Sequence, residues 1–313
     1  MSGIKTVFIV GPTASGKTDL GIKLAKRLDG EIVSADSMQI YKNISIASAV
    51  PGVEEMDGLK HYLLEFLEPE REFSVADYVG LARNAVKKIN SIGKLPIVVG
   101  GTGLYINSLA DNIAFTDEPE NSAVREELSK RFCEVGGEKM LAKLAKIDPR
   151  TAEKLHPSDK KRIIRAFEVY HLTGKTITEQ KEISRTGDKI IDPCIIGITY
   201  RDRKKLYERI NRRVDIMLEK GLEQEARQAY QRAGGGAFQA IGHKEFFGYF
   251  KGDCSLEEAA ESLKMQTRRY AKRQLTWFNK DKRIHWLYAD EEKDMPAAAE
   301  KTVREFLERE DAD

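Results

Sequence analysis

Cysteine is scarce. The 313 residues contain three, Cys133, Cys194 and Cys254. An odd number of cysteines, far apart, excludes a disulfide framework and matches no zinc-site spacing. They read as buried or neutral thiols in a reducing compartment. Long apolar runs are also missing. No stretch reaches the roughly 18 residues a membrane helix needs, and no leader pattern stands before the first expected strand. A cytoplasmic protein with no membrane partner is therefore expected. Nor is there an excess of charge of one sign: lysine and arginine number 52, aspartate and glutamate 50, for a net charge of +2. Any surface for a polyanion must then come from local clustering. There is no internal repeat. The hydrophobic fraction of 41% supports a sizeable core, and the length suits about two domains.

What is present begins at Gly11-Pro12-Thr13-Ala14-Ser15-Gly16-Lys17-Thr18, which fits the phosphate-loop pattern G-x-x-x-x-G-K-[ST]. The context has the required order. Lys5–Val10 reads as a buried strand, and Thr18–Leu28 carries Leu20, Leu24 and Leu28 on one helical face. Loop N–H groups and the helix N-terminus then converge where a phosphate can sit. Lys17 is assigned to the outer phosphate oxygens and Thr18 to Mg²⁺. The motif argues for a di- or triphosphate without naming the molecule.

Strands are expected at Lys5–Val10, Glu31–Ala35, His61–Phe66 and Leu95–Gly100, with helices at Thr18–Leu28 and Ser74–Asn90 between them. This alternation predicts an α/β fold with a parallel sheet. From Asn121 to Lys181 there are helical periods and no strand, broken at Asp148-Pro149, His156-Pro157-Ser158 and Thr173-Gly174. Cys194–Thr199 reads as a strand again. Long helices follow near Arg201–Lys220, Ser255–Asn279 and Met295–Arg309, with a short strand at Ile284–Tyr288 and a flexible Gly234-Gly235-Gly236 loop. The predicted layout is a phosphate-loop parallel-sheet core with helices on both faces, formed by residues 1–116 and 193–313. An all-helical insertion, residues 117–192, interrupts it.

Several constellations stand at expected ligand positions. Asp36-Ser37 follows the second strand, at the sheet edge where α/β folds bind ligands. A carboxylate there suits a metal sphere or a general base; equally it could cap the next helix. Gly100-Gly101-Thr102-Gly103 follows another strand on the same edge and allows close backbone approach, or is simply a tight turn. Arg209, Arg212 and Arg213 share a helix face, with Arg203 at the start of that helix. Such a stripe is either a solvated face or a pyrophosphate clamp. Two basic clusters could track a phosphate backbone. One is Lys160, Lys161, Arg162 and Arg165. The other is Lys264, Arg268, Arg269, Lys272 and Arg273, interleaved with Tyr270, Trp277 and Phe278. The first is the better nucleic-acid candidate.

Six segments in order resemble the bacterial tRNA dimethylallyltransferases: Gly11–Thr18 (GPTASGKT), Asp36–Tyr41 (DSMQIY), Val99–Tyr105 (VGGTGLY), Leu206–Arg213 (LYERINRR), Ala240–Glu245 (AIGHKE) and Arg268–Phe278 (RRYAKRQLTWF). The resemblance implies transfer of a dimethylallyl group from its diphosphate to N6 of adenine 37 in the tRNA anticodon loop. It also implies Mg²⁺ as cofactor, with Thr18 as its protein ligand. Gly11, Pro12, Thr13, Ala14, Ser15, Gly16, Lys17 and Thr18 would hold the diphosphate, with Arg203 and Arg209 at the leaving group and Asp36 as general base. Asp36, Ser37, Met38 and Gln39 would line the adenine pocket, with Thr102 and Arg125 nearby. Lys161, Arg162, Ile163, Ile164 and Arg165, and Gln239, Gly242 and His243 within Phe238–His243, would touch the tRNA. The family often has tyrosine where His243 stands. The expected partners are the anticodon stem-loop and dimethylallyl diphosphate, bound by a monomer. The competing assignments are a phosphate-loop kinase of a small metabolite, a nucleotide switch and a prenyltransferase of free adenine nucleotides. The switch is disfavoured by the lack of an N-K-x-D motif, and the nucleotide enzyme by the basic insertion.

Overall fold

The computed structural model describes residues 3–115, 122–184, 189–232 and 240–309. It divides into two compact units: Met1–Asp111 with Lys189–Asp313, and Asn112–Asp188.

The first unit is built on six strands: β1 (Ile4–Val10), β2 (Gly30–Ser34), β3 (His61–Tyr62), β4 (Leu95–Gly100), β5 (Ile191–Thr199) and β6 (His285–Tyr288). Every pairing is parallel, in the order β3-β2-β4-β1-β5-β6. β1 lies between β4 and β5, so alternate side chains meet different cores. Phe8 and Val10 join Val33, Val98 and the Val75–Ser91 and Gly103–Ala110 helices. Val7 and Ile9 join Ile32, Ile97, Ile196 and the Lys17–Arg27 and Met295–Leu307 helices. Both faces are thus covered, as an all-parallel sheet of apolar strands requires.

Two strands differ from expectation. β3 stops at Tyr62 rather than Phe66, because Leu63 and Glu65 take left-handed backbone angles, φ 63° and 46°. β5 starts at Ile191 and runs through Pro193. There Pro193 pairs only with Thr6 of β1, because β6 reaches only Ile196 to Thr199. A proline is tolerated where one edge is open. Helices unforeseen in the sequence include two longer ones, Gly103–Ala110 and Leu222–Arg232, and the short Ser45–Ser48, Val53–Met56 and Phe247–Lys251.

Among its described residues, the second unit contains five helices, Ser122–Val135, Gly137–Ile147, Pro149–Ala152, Lys160–Thr173 and Ile177–Ser184, and no strand. They close over Leu128, Met140, Leu144, Ile163, Ile164 and Phe167. Asp148 caps Pro149–Ala152, accepting from Thr151 N, with Pro149 in the first turn where its missing N–H costs nothing. None of the cysteines is bonded: Cys194 is buried, Cys254 half-buried and Cys133 exposed, so burial holds for one of the three. No helix among the described residues is long and apolar enough to cross a membrane.

Candidate active site

The C-terminal ends of β1, β2 and β4 lie side by side, and the loops leaving them interlock. Ala35 N donates to Val99 O (2.8 Å) and Thr102 N to Ala35 O (3.2 Å). The approach is so close that a Cβ on Gly100 would lie 2.2 Å from Ala35 O. In the loop after β1, Gly11 has φ +150° and passes Ile198 O equally tightly. Gly16, left-handed at φ 99°, starts the Lys17–Arg27 helix. The loop wraps back so that Lys17 Nζ donates to Pro12 O at 2.7 Å.

A residue from the Leu256–Phe278 helix ties the β1 and β4 loops together. Gln274 is buried; its Oε1 accepts from Thr13 N and its Nε2 donates to Gly101 O, each at 2.9 Å. Ser37 N donates to Thr102 Oγ1 (2.9 Å) and Met38 N to Asp36 Oδ1 (2.9 Å). Asp36 therefore caps its own turn through one oxygen, while Oδ2 accepts no hydrogen bond among the described residues. The capping and functional roles left open by the sequence are compatible, one on each oxygen.

These loops surround a chamber of about 260 Å³. Its polar lining includes Thr13, Lys17, Thr18, Asp36, Ser37, Gln39 and Arg213, and its apolar lining Ala47, Val214, Met217, Ile241 and Leu263. It opens into a wider groove of about 1360 Å³ that shares Lys17, Thr18, Arg213 and Met217 and adds Arg209 and Arg212. Lys17 is pushed down to about 7, first by burial and then by the Arg213 guanidinium, with Asp36 opposing. Burial also lowers Arg213, and Asp36 and Glu55 oppose it. Tyr270, another lining residue, is pushed up by burial and then by the Asp36 charge, with hydrogen bonds to Thr102 and Gln274 opposing. Two desolvated cations beside one carboxylate suit an anionic ligand that carries an apolar part.

The chamber brings together most of the residues singled out at the sheet edge. Thr13, Lys17, Thr18, Asp36, Ser37, Met38 and Gln39 line it, and Thr102 bonds to Ser37. Arg209 donates through Nε to Ala14 O at 3.0 Å. Arg203 is exposed in the first turn of its helix and lines neither cavity. Arg213, left open in the sequence between a solvated face and a pyrophosphate clamp, lines both cavities, whereas sequence reasoning gave no role to Gln274. The spacing of Thr267, Tyr270 and Gln274, i, i+3 and i+7 on one helix face, was the available signal for Gln274.

The remaining residues divide differently. Lys161, Arg162 and Arg165 are exposed on the second unit. Arg125 and Arg165 bond to Glu168 there, with Arg125 Nε to Oε1 at 3.1 Å and Arg165 Nη1 to Oε2 at 3.0 Å. Ile163 and Ile164 are corrected from tRNA contacts to core residues, 0% and 6% exposed. The helical period turns them inward while the flanking cations face out. His243 is likewise corrected: it is fully buried, with Nε2 on Glu225 Oε1 at 2.9 Å. Gly242 beside it, also expected to touch tRNA, is buried and donates to Glu245 Oε2. Gln239, with Phe238 and the Gly234–Gly236 loop, lies outside the described residues.

A cation would find few protein ligands. Among the described residues there is no cluster of three or more histidine, cysteine or acidic side chains. The chamber offers the Thr18 hydroxyl and the Asp36 carboxylate. A sparse oxygen set of this kind fits Mg²⁺, which keeps waters and completes its shell with substrate phosphates.

Comparison with known proteins agrees with this geometry. The IPP transferase family model matches residues 39–281, which leaves the Gly11–Thr18 loop outside the match. The tRNA dimethylallyltransferase of Acetivibrio thermocellus is 50% identical over 286 residues, covering 90% of this chain and 91% of its own. The crystal structure of the tRNA isopentenylpyrophosphate transferase of Bacillus halodurans superposes with a TM-score of 0.70 at 40% identity, covering 96% of this chain and 97% of that one. A eukaryotic dimethylallyltransferase, captured crystallographically acting on tRNA, superposes with a TM-score of 0.83 at 30% identity, covering 97% and 80%. The chain belongs to the tRNA dimethylallyltransferase family.

Proposed function

We propose that this protein transfers a dimethylallyl group from dimethylallyl diphosphate to N6 of adenine 37 in the tRNA anticodon loop, releasing diphosphate. One observation carries the proposal: the two desolvated cations Lys17 and Arg213 share a chamber with Asp36 and an apolar wall. A diphosphate ester with a short hydrocarbon tail matches both linings. A kinase of a small polar metabolite would leave the apolar wall unused, and the relatives named above are transferases of the prenyl type.

In this reading the diphosphate lies against Gly11–Thr18, with Lys17, Arg213 and, from the groove, Arg209 as donors. The C–O bond of the donor breaks, its electron pair leaves with the diphosphate, and the allylic carbon bonds to N6. Preorganised donors stabilise the developing charge, each typically worth about 10²–10³ in rate. Bound Mg²⁺, held by Thr18 and the donor's own oxygens, would neutralise part of that charge. Asp36 accepts the N6 proton through Oδ2, a general-base contribution of roughly 10²–10⁴. A base stacked in the anticodon loop cannot reach such a chamber, so the adenine is extruded. Ser37, Met38 and Gln39 then flank it, with Thr102 fixing Ser37. The exposed Lys161, Arg162 and Arg165 supply contacts to the RNA backbone. The chain acts as a monomer in the cytoplasm.

The test is mass spectrometry of hypomodified tRNA after incubation with the protein, Mg²⁺ and dimethylallyl diphosphate. The expected product carries one added five-carbon unit on the adenine 3′ of the anticodon. Absence of that product, with phosphorylation of a small alcohol from ATP, would favour the kinase.

A further inference from the structure

One stretch of the chamber's apolar lining comes from a single core cluster, while Ile32 and Val99 line it from the sheet. Val214, Met217 and Leu263 belong to that cluster, and Ala47 and Ile241 pack against it. Ala47 stands in the one-turn helix Ser45–Ser48, which is too short to hold its shape alone. Glu225, on the Leu222–Arg232 helix, holds one end. Its Oε2 accepts from Ile46 N and its Oε1 from Ala47 N, both at 2.9 Å. Gln39 holds the other end, with Nε2 donating to Ala49 O (3.1 Å) and Ser48 O (3.4 Å) while Oε1 accepts from Ser34 Oγ (2.9 Å). Buried His243 completes the arrangement by donating from Nε2 to Glu225 Oε1 at 2.9 Å. Among the described residues its Nδ1 has no partner and the glutamate is its only polar side-chain tie, and that bond fixes the proton on Nε2. Beside it Gly242, with φ +115°, leaves room for the turn: a Cβ there would lie 3.2 Å from the Ala47 methyl.

Resting on the prenyl-transfer reading above, we infer that Glu225, oriented by His243, is a positioning residue for the donor. It fixes the Ser45–Ala49 turn as the wall that meets the hydrocarbon tail, and so restricts the donor to five carbons. A carboxylate that satisfies two adjacent backbone N–H groups sets the position of Ala47 more tightly than apolar packing would. Gln39, which holds the far end of the turn, itself lines the chamber. Displacing the turn therefore alters the room for the tail.

The experiment compares dimethylallyl diphosphate with geranyl diphosphate as donors to hypomodified tRNA, using the full chain. In Glu225→Gln one acceptor oxygen becomes an NH₂ group facing a backbone donor. The KM for dimethylallyl diphosphate should rise about tenfold with kcat within about twofold, and the kcat/KM preference for the five-carbon donor should fall about tenfold. His243→Leu should do the same, while His243→Gln, which keeps an N–H donor, should retain most of the preference. The preference is a ratio, so a smaller folded fraction leaves it unmoved; Ala47→Gly, which keeps every backbone bond, should raise geranyl transfer if the larger variants fail to fold. Equal losses for both donors in Glu225→Gln and His243→Leu, or a rise confined to the KM for tRNA, would reduce the pair to scaffolding. Wild-type protein in the same assay separates the two readings. If it adds no five-carbon unit, the prenyl-transfer reading fails; if it does and the preference stays fixed in the variants, only the positioning role fails.

Discussion

Glu168 in the helical unit is buried and Lys17 in the sheet unit half-buried, in contrasting surroundings. Glu168 is 1% exposed and takes hydrogen bonds from both Arg125 and Arg165. Burial would raise its pKa, and the two guanidinium groups outweigh it, holding the carboxyl below its usual value. Asp148 behaves alike. Burial is outweighed by bonds from Thr178 and Thr151, and its oxygens accept from Thr151 N, Thr178 N and Thr178 Oγ1. In the sheet unit, among the described residues, Lys17 has only the Pro12 carbonyl as partner, and neither Lys17 nor Arg213 has an ion-pair partner. Scaffold charges are satisfied within the fold, whereas the chamber keeps cations desolvated and unpaired, at a cost to stability that a bound anion would offset.

The largest effect expected from that contrast lies at the carboxylate that shares the chamber with the cations. Asp36→Ala should lower kcat for tRNA prenylation by about 10²–10⁴ while changing tRNA affinity by about twofold or less. Single-turnover measurement alongside equilibrium binding checks this. A large loss of tRNA affinity with normal turnover of bound tRNA would contradict the base role.

Next is Lys17→Met, which should act in opposite directions on binding and stability. Losing the donor should weaken dimethylallyl diphosphate binding by about 10²–10³. Stability should rise, with a definite pH window. The lysine titrates near its usual 10.5 when unfolded and at about 7 when folded. Folding therefore expels its proton between these values, and the cost is fully present below pH 7 and fades as pH rises toward 10.5. Thermal melts should show the variant more stable by a few kcal/mol at or below pH 7, with the gain vanishing near pH 10.5. A variant less stable than wild type at pH 6 would break the comparison with Glu168.

Glu168→Ala supplies the counterpart in the helical unit. Removing a satisfied buried carboxylate should destabilise the protein by about 1–3 kcal/mol and leave the KM for dimethylallyl diphosphate unchanged. Denaturant unfolding and donor titration on one preparation read both.

How much of this was legible in the sequence depended on how local the cause is. The Gly11–Thr18 loop, Asp36–Gln39 and Thr102 follow strands with strong apolar runs, and a parallel sheet brings such strand ends together. Arg213 and Gln274 reach the chamber only through the docking angles of the Arg203–Glu219 and Leu256–Phe278 helices, which no local pattern specifies. The end of β3 was misjudged because two left-handed non-glycine residues, Leu63 and Glu65, stop it. Ile163, Ile164 and His243 were assigned to tRNA as parts of whole segments. The helical period already separates the isoleucines from Lys161, Arg162 and Arg165, and sorting by face would have kept them in the core. His243 had no such signal, since its burial depends on Glu225, eighteen residues away.

The smallest effect belongs to the exposed cations of the helical unit. Lys161 is exposed and has no ion pair among the described residues, and the contact of Arg162 with Asp159 is a loose 3.9 Å. Neither has a folding role to lose, so Lys161→Ala should leave stability and saturated turnover intact and weaken tRNA binding only severalfold. The informative quantity is the salt dependence. If Lys161 neutralises one phosphate, the slope of log affinity against log salt should fall in magnitude by about 1. Ile163→Ala, two residues further along the helix, should do the reverse, costing about 2–5 kcal/mol of stability as a buried cavity while leaving the slope of the folded fraction unchanged. Positions two residues apart with opposite signatures would show that the outward face of this helix meets RNA and the inward face only holds the unit together. A slope unmoved in Lys161→Ala would remove this residue from the RNA surface and leave the Glu168-centred packing as the only demonstrated work of the helix.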